Sequence, residues 1–149
     1  MKTLLVSVDF SDATRAVLAT AVDLASTPGA KLFLHHCLVP PMVTTEYGIG
    51  LEMMQESLAL AEKTALHQLQ HIEDELTALG LDVTSCLTRG GPSSDIVNKA
   101  AKLRADAIIL GSHGHTAFFD LLVGSTTHSV IKNARCPVII VPRKLDKMR

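Results

Sequence analysis

Five short apolar segments alternate with helical stretches along the chain, and this alternation constrains the fold more than any other feature of the sequence. Most of these segments are apolar at successive positions and rich in Val, Ile and Leu, which is typical of strands buried on both faces. Such strands, each followed by a helix, form a parallel sheet with helices on both sides. We therefore predict an α/β fold with a five-stranded, mostly parallel sheet and helices on both faces. The predicted strands are Thr3–Val8, Lys31–Val39, Leu81–Thr88, Asp106–Leu110 and Cys136–Pro142.

The helix between the second and third strands is predicted to be the longest, over about Leu51–Leu79. Apolar residues recur there at spacings of three and four, which predicts one face that packs on the sheet. Ser11 or Asp12 is expected to cap the helix after the first strand, and Ser93 the helix after the third, because their short side chains accept hydrogen bonds from the first helical N–H groups. The apolar face consists of Met54, Leu58, Ala61, Ala65, Leu69, Ile72, Leu76 and Leu79.

The composition predicts a single domain over residues 1–149 that ends in a basic, flexible tail at 143–149. Hydrophobic residues make up 47% of the chain and charged residues 19%, which favours a packed core over disorder. The net charge of −1 and the 3% of aromatic residues argue against nucleic-acid binding, which favours basic surfaces and stacking rings. No apolar run approaches the roughly 18 residues of a membrane span, and no targeting segment is evident. With three cysteines and no C-x-x-C pair, we expect a cytoplasmic protein with reduced thiols.

A glycine-rich segment between the fourth strand and the last helix is the main functional signal. Gly111 and Gly114 lie three apart, and Gly124 follows after nine intervening residues, directly before Ser125 and Thr126. Glycine lets the backbone approach a ligand closely, and a helix N-terminus offers unpaired N–H groups to an anion. Ligands of parallel sheets bind at the carboxyl ends of the strands. The segment therefore predicts a phosphate site.

Asp9 ends the first predicted strand and is expected to meet this segment if the first and fourth strands are neighbours. Its carboxylate could take a ribose hydroxyl or a metal-bound water, or it could serve only as a helix cap. Two common nucleotide motifs are missing from the sequence. The chain has no G-x-x-x-x-G-K-[ST] loop, and the first strand is followed by Asp9-Phe10-Ser11-Asp12 where a dinucleotide fold has G-x-G-x-x-G.

Four segments resemble the universal stress protein family, and the resemblance covers essentially the whole chain. They are Val8–Asp12, Ala105–Gly114, Gly124–Thr126 and Cys136–Val141. The resemblance implies a flavodoxin-like fold of the adenine nucleotide alpha hydrolase-like kind and a homodimer through the last strand. The spaced glycines are the mark of the branch of this family that binds ATP, which we expect to bind with Mg²⁺ or Mn²⁺. The implied nucleotide-binding residues are Val8, Asp9, Cys37, Gly111, Ser112, Gly114, His115, Gly124, Ser125 and Thr126.

By this resemblance, Val8 and Cys37 line the adenine pocket, Asp9 lies near adenine and ribose, and the glycine loop holds ribose and phosphates. The chain departs from the family pattern at three of these positions. His115 stands where many members have Lys or Arg, which makes the phosphate affinity depend on its protonation. Thr126 and Cys37 stand where Val is common, and neither change adds a charge to the site.

These residues predict a nucleotide-dependent regulatory protein of the stress response with little or slow ATP hydrolysis. The loop offers no Lys or Arg to stabilise a phosphoryl-transfer transition state. Three alternatives stay open. The chain could be an interaction module of the same fold without nucleotide, or a slow nucleotide or metal-dependent hydrolase that uses Asp9 with His113 or His115. A flavoprotein is the third, although few aromatic residues are present to stack on a flavin.

Two pairs of histidines invite a metal site, but each has a simpler interpretation. His35 and His36 are adjacent in a strand, so they point to opposite faces of the sheet. His67 and His71 have helical spacing, but they lie off the apolar face and lack the Glu of an H-E-x-x-H motif. We therefore predict no protein-held metal site.

Overall fold

The computed structural model describes residues 1–40, 50–113 and 123–143. Strands and helices alternate in this part of the chain, and each strand before the last is followed by a helix. The elements are β1 (Thr3–Ser7), α1 (Thr14–Leu24), β2 (Lys31–Leu38), α2 (Leu51–Ala78), β3 (Asp82–Arg89), α3 (Pro92–Leu103), β4 (Ala107–Gly111), α4 (Ser125–Asn133) and β5 (Val138–Val141).

The five strands are all parallel and lie in the order β3-β2-β1-β4-β5. The sheet therefore grows outwards from β1 to β3 on one side and from β4 to β5 on the other. At this change of direction the helices after β1 and β4 pack on opposite faces, which opens a crevice at the carboxyl edge of the sheet. The predicted parallel sheet is confirmed, and so is the contact between the first and fourth strands.

The two faces of the sheet carry separate apolar cores. In β1, Leu4 and Val6 point to the face covered by α1 and α2, and Leu5 points to the face covered by α3 and α4. All three side chains are at most 1% exposed, and each contributes about 1.5–3 kcal/mol through its burial. Because both faces are covered, the central strands β1 and β4 show no alternation of apolar and polar residues.

The predicted helix caps are wrong in detail. α3 begins at Pro92 with Gly91 in the N-cap position, so Ser93 lies inside the helix. Proline suits the first helical position because an N–H there would have no partner within the helix. α1 has Ala13 in its N-cap position, and Ser11 Oγ accepts a hydrogen bond from the Ala13 N–H at 3.3 Å. Ser11 therefore closes the turn before α1 and does not cap the helix itself.

The apolar face of α2 packs on the sheet, but its predicted last member does not. Ala65, Leu69 and Leu76 are buried, whereas the Leu79 side chain is 68% exposed. The helix ends at Ala78, so the helical period no longer sets the direction of Leu79. Leu81 packs against the core in its place.

β5 is shorter than the predicted strand Cys136–Pro142, since its ladder covers only Val138–Val141. Pro137 and Pro142 flank it, and proline has no N–H to donate to a neighbouring strand. The two prolines therefore limit the length of this strand.

Arg143, the first residue of the predicted flexible tail, is bonded to two loops. Its N–H donates to Ser112 Oγ at 3.3 Å, and its guanidinium pairs with Asp12 at 3.0 Å. The rest of the tail, 144–149, lies outside the described residues. The bonds of Arg143 fasten the end of β5 to both sides of the crevice.

Candidate functional site

A cleft of about 570 Å³ lies at the carboxyl edge of the sheet, where β1, β2 and β4 end. α1, α3 and α4 begin at the same edge, so three helix N-termini border the cleft. Its volume falls within the range of about 300–1,000 Å³ that is usual for small-molecule sites. The described residues that line it are Ser7, Val8, Asp9, Ala13, Thr14, Val17, His36, Cys37, Leu38, Val39, Pro92, Ile96, Leu110, Gly111, His113, Gly124, Ser125, Thr126 and Thr127.

The N-terminus of α4 is the main anion-binding feature of the cleft. Gly124 occupies the N-cap position with extended backbone, and no side chain in the described ranges caps the helix. The His128 N–H donates to the Gly124 carbonyl at 2.9 Å, so the N–H groups of Ser125, Thr126 and Thr127 precede the helical ladder. These donors and the positive end of the helix dipole favour a phosphate or carboxylate at this position.

Close packing, and not an unusual backbone angle, requires glycine at Gly111 and Gly124. Neither residue has a positive φ. A Cβ on Gly124 would lie 3.3 Å from the Ser112 carbonyl oxygen, and one on Gly111 would lie 3.3 Å from Ala13 Cβ. The Gly124 N–H donates to the same Ser112 carbonyl at 2.7 Å. The two ends of the loop therefore meet at contact distance, and α1 approaches β4 closely.

Thr127 fastens the first turn of α4 to the end of β4. Its side chain is buried, and its hydroxyl donates to the Gly111 carbonyl at 2.8 Å. This bond joins the two glycine-bearing ends of the loop a second time. The N–H groups of the helix are thereby held at a fixed height above the sheet.

Asp9 lies across the cleft in the turn between β1 and α1. Its Oδ1 accepts a hydrogen bond from the Ser11 N–H at 3.0 Å, which is an Asx-type turn. Phe10 has a φ of 59°, a left-handed conformation that costs about 1–2 kcal/mol for a residue with a side chain. His36 contacts both neighbours of Asp9, because its Nδ1 donates to the Val8 carbonyl at 2.8 Å and its ring centroid lies 4.4 Å from that of Phe10.

Cys37 lines the cleft at the end of β2. Its Sγ donates its hydrogen to Asp95 Oδ2 at 3.2 Å and lies 3.5 Å from the Gly90 carbonyl oxygen. Burial, together with the hydrogen bond to Asp95, raises the pKa of the Cys37 thiol to about 11. The thiol is therefore protonated at neutral pH, and this wall of the cleft carries no thiolate charge.

His35 belongs to the core and not to the cleft. Its side chain is fully buried, and Nε2 lies 2.8 Å from Thr88 Oγ1. Burial lowers the pKa of His35 to about 4, so the ring is neutral at physiological pH. Its Nδ1 has no hydrogen-bond partner among the residues that the structure describes.

Comparison with known proteins assigns this chain to a family. The family model described as "Universal stress protein family" matches residues 1–142. The chain belongs to the universal stress protein family. A universal stress protein of Thermus aquaticus is 31% identical over 142 residues, which cover 94% of this chain and 98% of that protein.

Solved structures of other universal stress proteins share the fold. MJ0577 of Methanocaldococcus jannaschii superposes with a TM-score of 0.84 at 29% identity, over 97% of both chains. A universal stress protein of Archaeoglobus fulgidus, solved in complex with dAMP, has a TM-score of 0.61 at 25% identity, over 95% of this chain and 97% of that one. This chain therefore shares its fold with other members of the family.

Seven of the ten predicted nucleotide-binding residues of this universal stress protein line the cleft. Ser112 does not, because its hydroxyl accepts from the Arg143 N–H and lies 3.1 Å from His113 Nδ1. Gly114 and His115 lie outside the described residues. The seven are Val8, Asp9, Cys37, Gly111, Gly124, Ser125 and Thr126, and their roles in binding stay predictions.

Sequence reasoning missed four polar residues of this universal stress protein among the described residues that line the cleft, namely Ser7, Thr14, His36 and Thr127. Thr14 Oγ1 is buried without a hydrogen-bond partner in the described ranges. The sequence holds no signal for Thr14 or Thr127, because it does not show which of several hydroxyl side chains in a first helical turn faces the strand. For His36, the adjacent pair in a strand was a usable signal, since one of two neighbours must face each side.

Within the described residues, no group of three or more His, Cys, Asp or Glu could hold a metal ion. His35 bonds to β3 and His36 to the turn after β1, so the two rings point to opposite faces as predicted. His67 and His71 are exposed on α2. None of the helices in the same part of the chain is both long enough and apolar enough to cross a membrane.

Proposed function

We propose that this universal stress protein binds ATP in the cleft and couples nucleotide occupancy to a regulatory role in the stress response. The phosphates would lie against the N–H groups of Ser125 and Thr126, because the Gly124 N–H already donates to the Ser112 carbonyl. The ribose would lie near Asp9, and the adenine between Val8 and Cys37. One observation carries this proposal. Among the described residues, no side chain caps the start of α4, which borders a cleft of nucleotide size, and the Asp9 carboxylate lies across that cleft in the turn after β1.

The choice of an adenine nucleotide rests on two lines of support. A related universal stress protein, that of Archaeoglobus fulgidus, was solved with dAMP. The proposed base wall is uncharged, because Val8 is buried and apolar and the Cys37 thiol is held in its protonated form by a pKa raised to about 11. An uncharged wall suits a planar, neutral base.

Mg²⁺ or Mn²⁺ is proposed to enter with the nucleotide. Mg²⁺ keeps several waters and takes one or two carboxylates together with phosphate oxygens. Asp9 is the carboxylate among the described residues that line the cleft, and it fits such a loosely held ion. The ion would neutralise phosphate charge, while the chain contributes one carboxylate and the N–H groups of α4.

Little or slow hydrolysis is proposed for the bound ATP. Phosphoryl transfer needs positioned cations and a group that orients the attacking water. None of the described residues that line the cleft is Lys or Arg. A turnover number above about 1 s⁻¹, the low end of typical enzymes, would contradict this proposal and favour the nucleotide hydrolase.

We also propose a cytoplasmic homodimer that pairs through β5. β5 stands at one edge of the sheet, and Val138, Ile139 and Ile140 are only partly buried. Pro137 and Pro142 would confine backbone pairing to the middle of the strand. The free thiols of Cys37, Cys86 and Cys136 fit a reducing compartment. The net charge of −1 does not favour binding to nucleic acid.

Thermal unfolding with Mg-ATP, and with Mg-GTP as control, tests the proposal. At a hundredfold excess over Kd, a ligand adds about 2.7 kcal/mol to stability, and each kcal/mol raises Tm by about 2–4 °C at this size. We expect a rise of several degrees with Mg-ATP and a smaller rise with Mg-GTP. No rise with either nucleotide would contradict the proposal and favour the interaction module without nucleotide.

A further inference from the structure

We infer that His36 is a positioning residue for Asp9, which it holds in place for the nucleotide through the residues on either side. The inference rests on the proposed function and adds a residue to that site. His36 lines the cleft, yet its described contacts are with Val8 and Phe10, the two neighbours of Asp9 in the chain. One side chain therefore fixes the backbone before and after the carboxylate.

The contact with Val8 extends the attachment of the chain beyond the end of β1. The last residue of that strand is Ser7. The Val8 N–H donates to the His35 carbonyl at 2.9 Å, and the Val8 carbonyl accepts from His36 Nδ1 at 2.8 Å. Since a carbonyl only accepts, Nδ1 must carry the hydrogen. Both polar groups of the Val8 backbone are thus bonded to residues of β2, and the chain is fixed up to Asp9.

The contact with Phe10 fixes the chain after Asp9. Phe10 has a φ of 59°, and a side-chain-bearing residue keeps such an angle only where its surroundings hold it. Its ring lies against the His36 ring at a tilt of 38° and packs on the core between the sheet, α1 and α2. The left-handed conformation of Phe10 lies between Asp9 and Ser11, whose N–H donates to Asp9 Oδ1 at 3.0 Å.

The consequence is a carboxylate whose place is set before a ligand arrives. Ordering a side chain or loop on binding reduces affinity, and a group that is already in place avoids that loss. Loss of the His36 ring would free the backbone on both sides of Asp9. The effect on nucleotide binding would then pass through Asp9 and would disappear when Asp9 is absent.

A double-mutant cycle tests this transmission. The dissociation constant of Mg-ATP is measured for the wild-type protein, His36→Ala, Asp9→Ala and the double variant. We expect His36→Ala to weaken binding about tenfold, the usual effect of losing one hydrogen bond with its packing, and to add less than about twofold when Asp9 is already Ala. An equal loss with and without Asp9 would overturn the inference.

Three further variants separate the contacts. His36→Asn keeps a donor for the Val8 carbonyl and loses the ring, whereas His36→Phe keeps a ring against Phe10 and loses the donor. Each is expected to lie between the wild-type protein and His36→Ala, and His36→Asn serves in the cycle if His36→Ala does not fold. His67→Ala removes an exposed histidine of α2 and should leave the dissociation constant unchanged.

Amide hydrogen exchange without nucleotide keeps this inference distinct from the proposed function. We expect the Ser11 N–H, which donates to Asp9 Oδ1, to exchange faster in His36→Ala than in His67→Ala, with partial recovery in His36→Asn and no change at core amides of α3. If the wild-type protein binds no nucleotide, the proposed function fails and this exchange alone decides the role of His36. Unchanged exchange at Ser11 in His36→Ala would overturn that role, whatever the protein binds.

Discussion

The two connections that border the cleft are built by opposite means, although each runs from a parallel strand to a helix at the same edge. The turn after β1 is held by side chains, since Asp9 bonds the following backbone and His36 contacts both of its neighbours. The described ends of the connection after β4 pack closely because Gly111 and Gly124 have no side chains. Gly111 and Gly124 have no room for a Cβ without a contact of 3.3 Å.

The difference follows from what each connection offers a ligand. A carboxylate that accepts from a hydroxyl must be held at a fixed distance and angle, and bonds from neighbouring side chains provide this. N–H groups that surround a phosphate must come close to it, and any added atom keeps them away. Removal of atoms should therefore damage the turn after β1, and addition of atoms should damage the loop after β4.

The largest expected effect comes from adding atoms at Gly124. In Gly124→Val the first added carbon would lie 3.3 Å from the Ser112 carbonyl oxygen, and two more carbons follow. The loop end must shift, at a cost of about 1–3 kcal/mol that is typical of overpacking. We expect Mg-ATP to bind about a hundredfold more weakly, measured by titration calorimetry.

Gly91→Val is the matched control for this change. Gly91 is also an N-cap glycine, but its added carbon would meet Ser94 Oγ at 3.2 Å, the end of a flexible side chain. This variant should bind nearly as well as the wild-type protein. Equal losses in the two variants would show that any N-cap glycine gives the effect, and the close contact of Gly124 with the Ser112 carbonyl would not be its cause.

Acid should lower the free energy of unfolding, and the buried His35 in the sheet sets the size of this loss. Burial lowers the pKa of His35 from 6.5, its value in an unfolded chain, to about 4 in the folded protein. Between these two pH values the unfolded chain therefore binds more protons than the folded protein. Stability is thus retained above about pH 6.5 and lost as pH falls towards 4, with about 2 kcal/mol lost by pH 5. Urea unfolding at pH 7 and pH 5 measures it.

His35→Leu should remove this part of the pH dependence, whereas His67→Ala should keep it because His67 is exposed on α2. An identical pH slope in the wild-type protein and His35→Leu would mean that His35 is not the group that titrates. The comparison matters for the cleft, because nucleotide binding at low pH can be interpreted only after the loss of folded protein is known.

Removal of atoms at Asp9 should weaken nucleotide binding about tenfold, the loss expected for a hydrogen bond to a charged group. Asp9→Ala deletes the carboxylate proposed to face the ribose. Ser11→Ala deletes only a hydroxyl that accepts from the Ala13 N–H, so it should have a smaller effect on the dissociation constant. The reverse order would mean that Asp9 serves only the turn into α1.

The smallest effect is expected at Thr127. Thr127→Val removes the hydroxyl that donates to the Gly111 carbonyl at 2.8 Å, which should lower the free energy of unfolding by about 1 kcal/mol. Thr126→Val is the neighbouring control, since Thr126 is only half-buried and no bond from its hydroxyl to the end of β4 is described. Chemical denaturation would contradict the role of Thr127 if both variants lost the same stability.

Most of the fold could be predicted from the sequence because burial on both faces leaves a direct trace. Runs such as Ala107–Leu110 have no polar residue on either face, and they identify central parallel strands. The ends of elements were less certain, because apolar residues continue beyond the ladder. Val8 is buried but lies after β1, and Leu79 follows the last turn of α2.

The candidate site could be predicted only where a residue type has few other uses. A glycine at a strand end and one at a helix start, each followed by a hydroxyl residue, identified Gly111 and Gly124. An acid after a strand identified Asp9. The direction of single side chains could not be predicted. Ser112 turns its hydroxyl to Arg143, and His36 faces the turn after β1, because neighbouring elements that are distant in sequence decide both orientations.

The thiol of Cys37 has a consequence for chemistry under oxidising conditions. Peroxides react with thiolates and hardly at all with protonated thiols. With its pKa raised to about 11 by burial and the Asp95 carboxylate, only about one Cys37 in ten thousand is a thiolate at pH 7. The wall of the cleft is therefore expected to resist sulfenic acid formation, and the pocket should keep its shape under conditions that oxidise more acidic thiols.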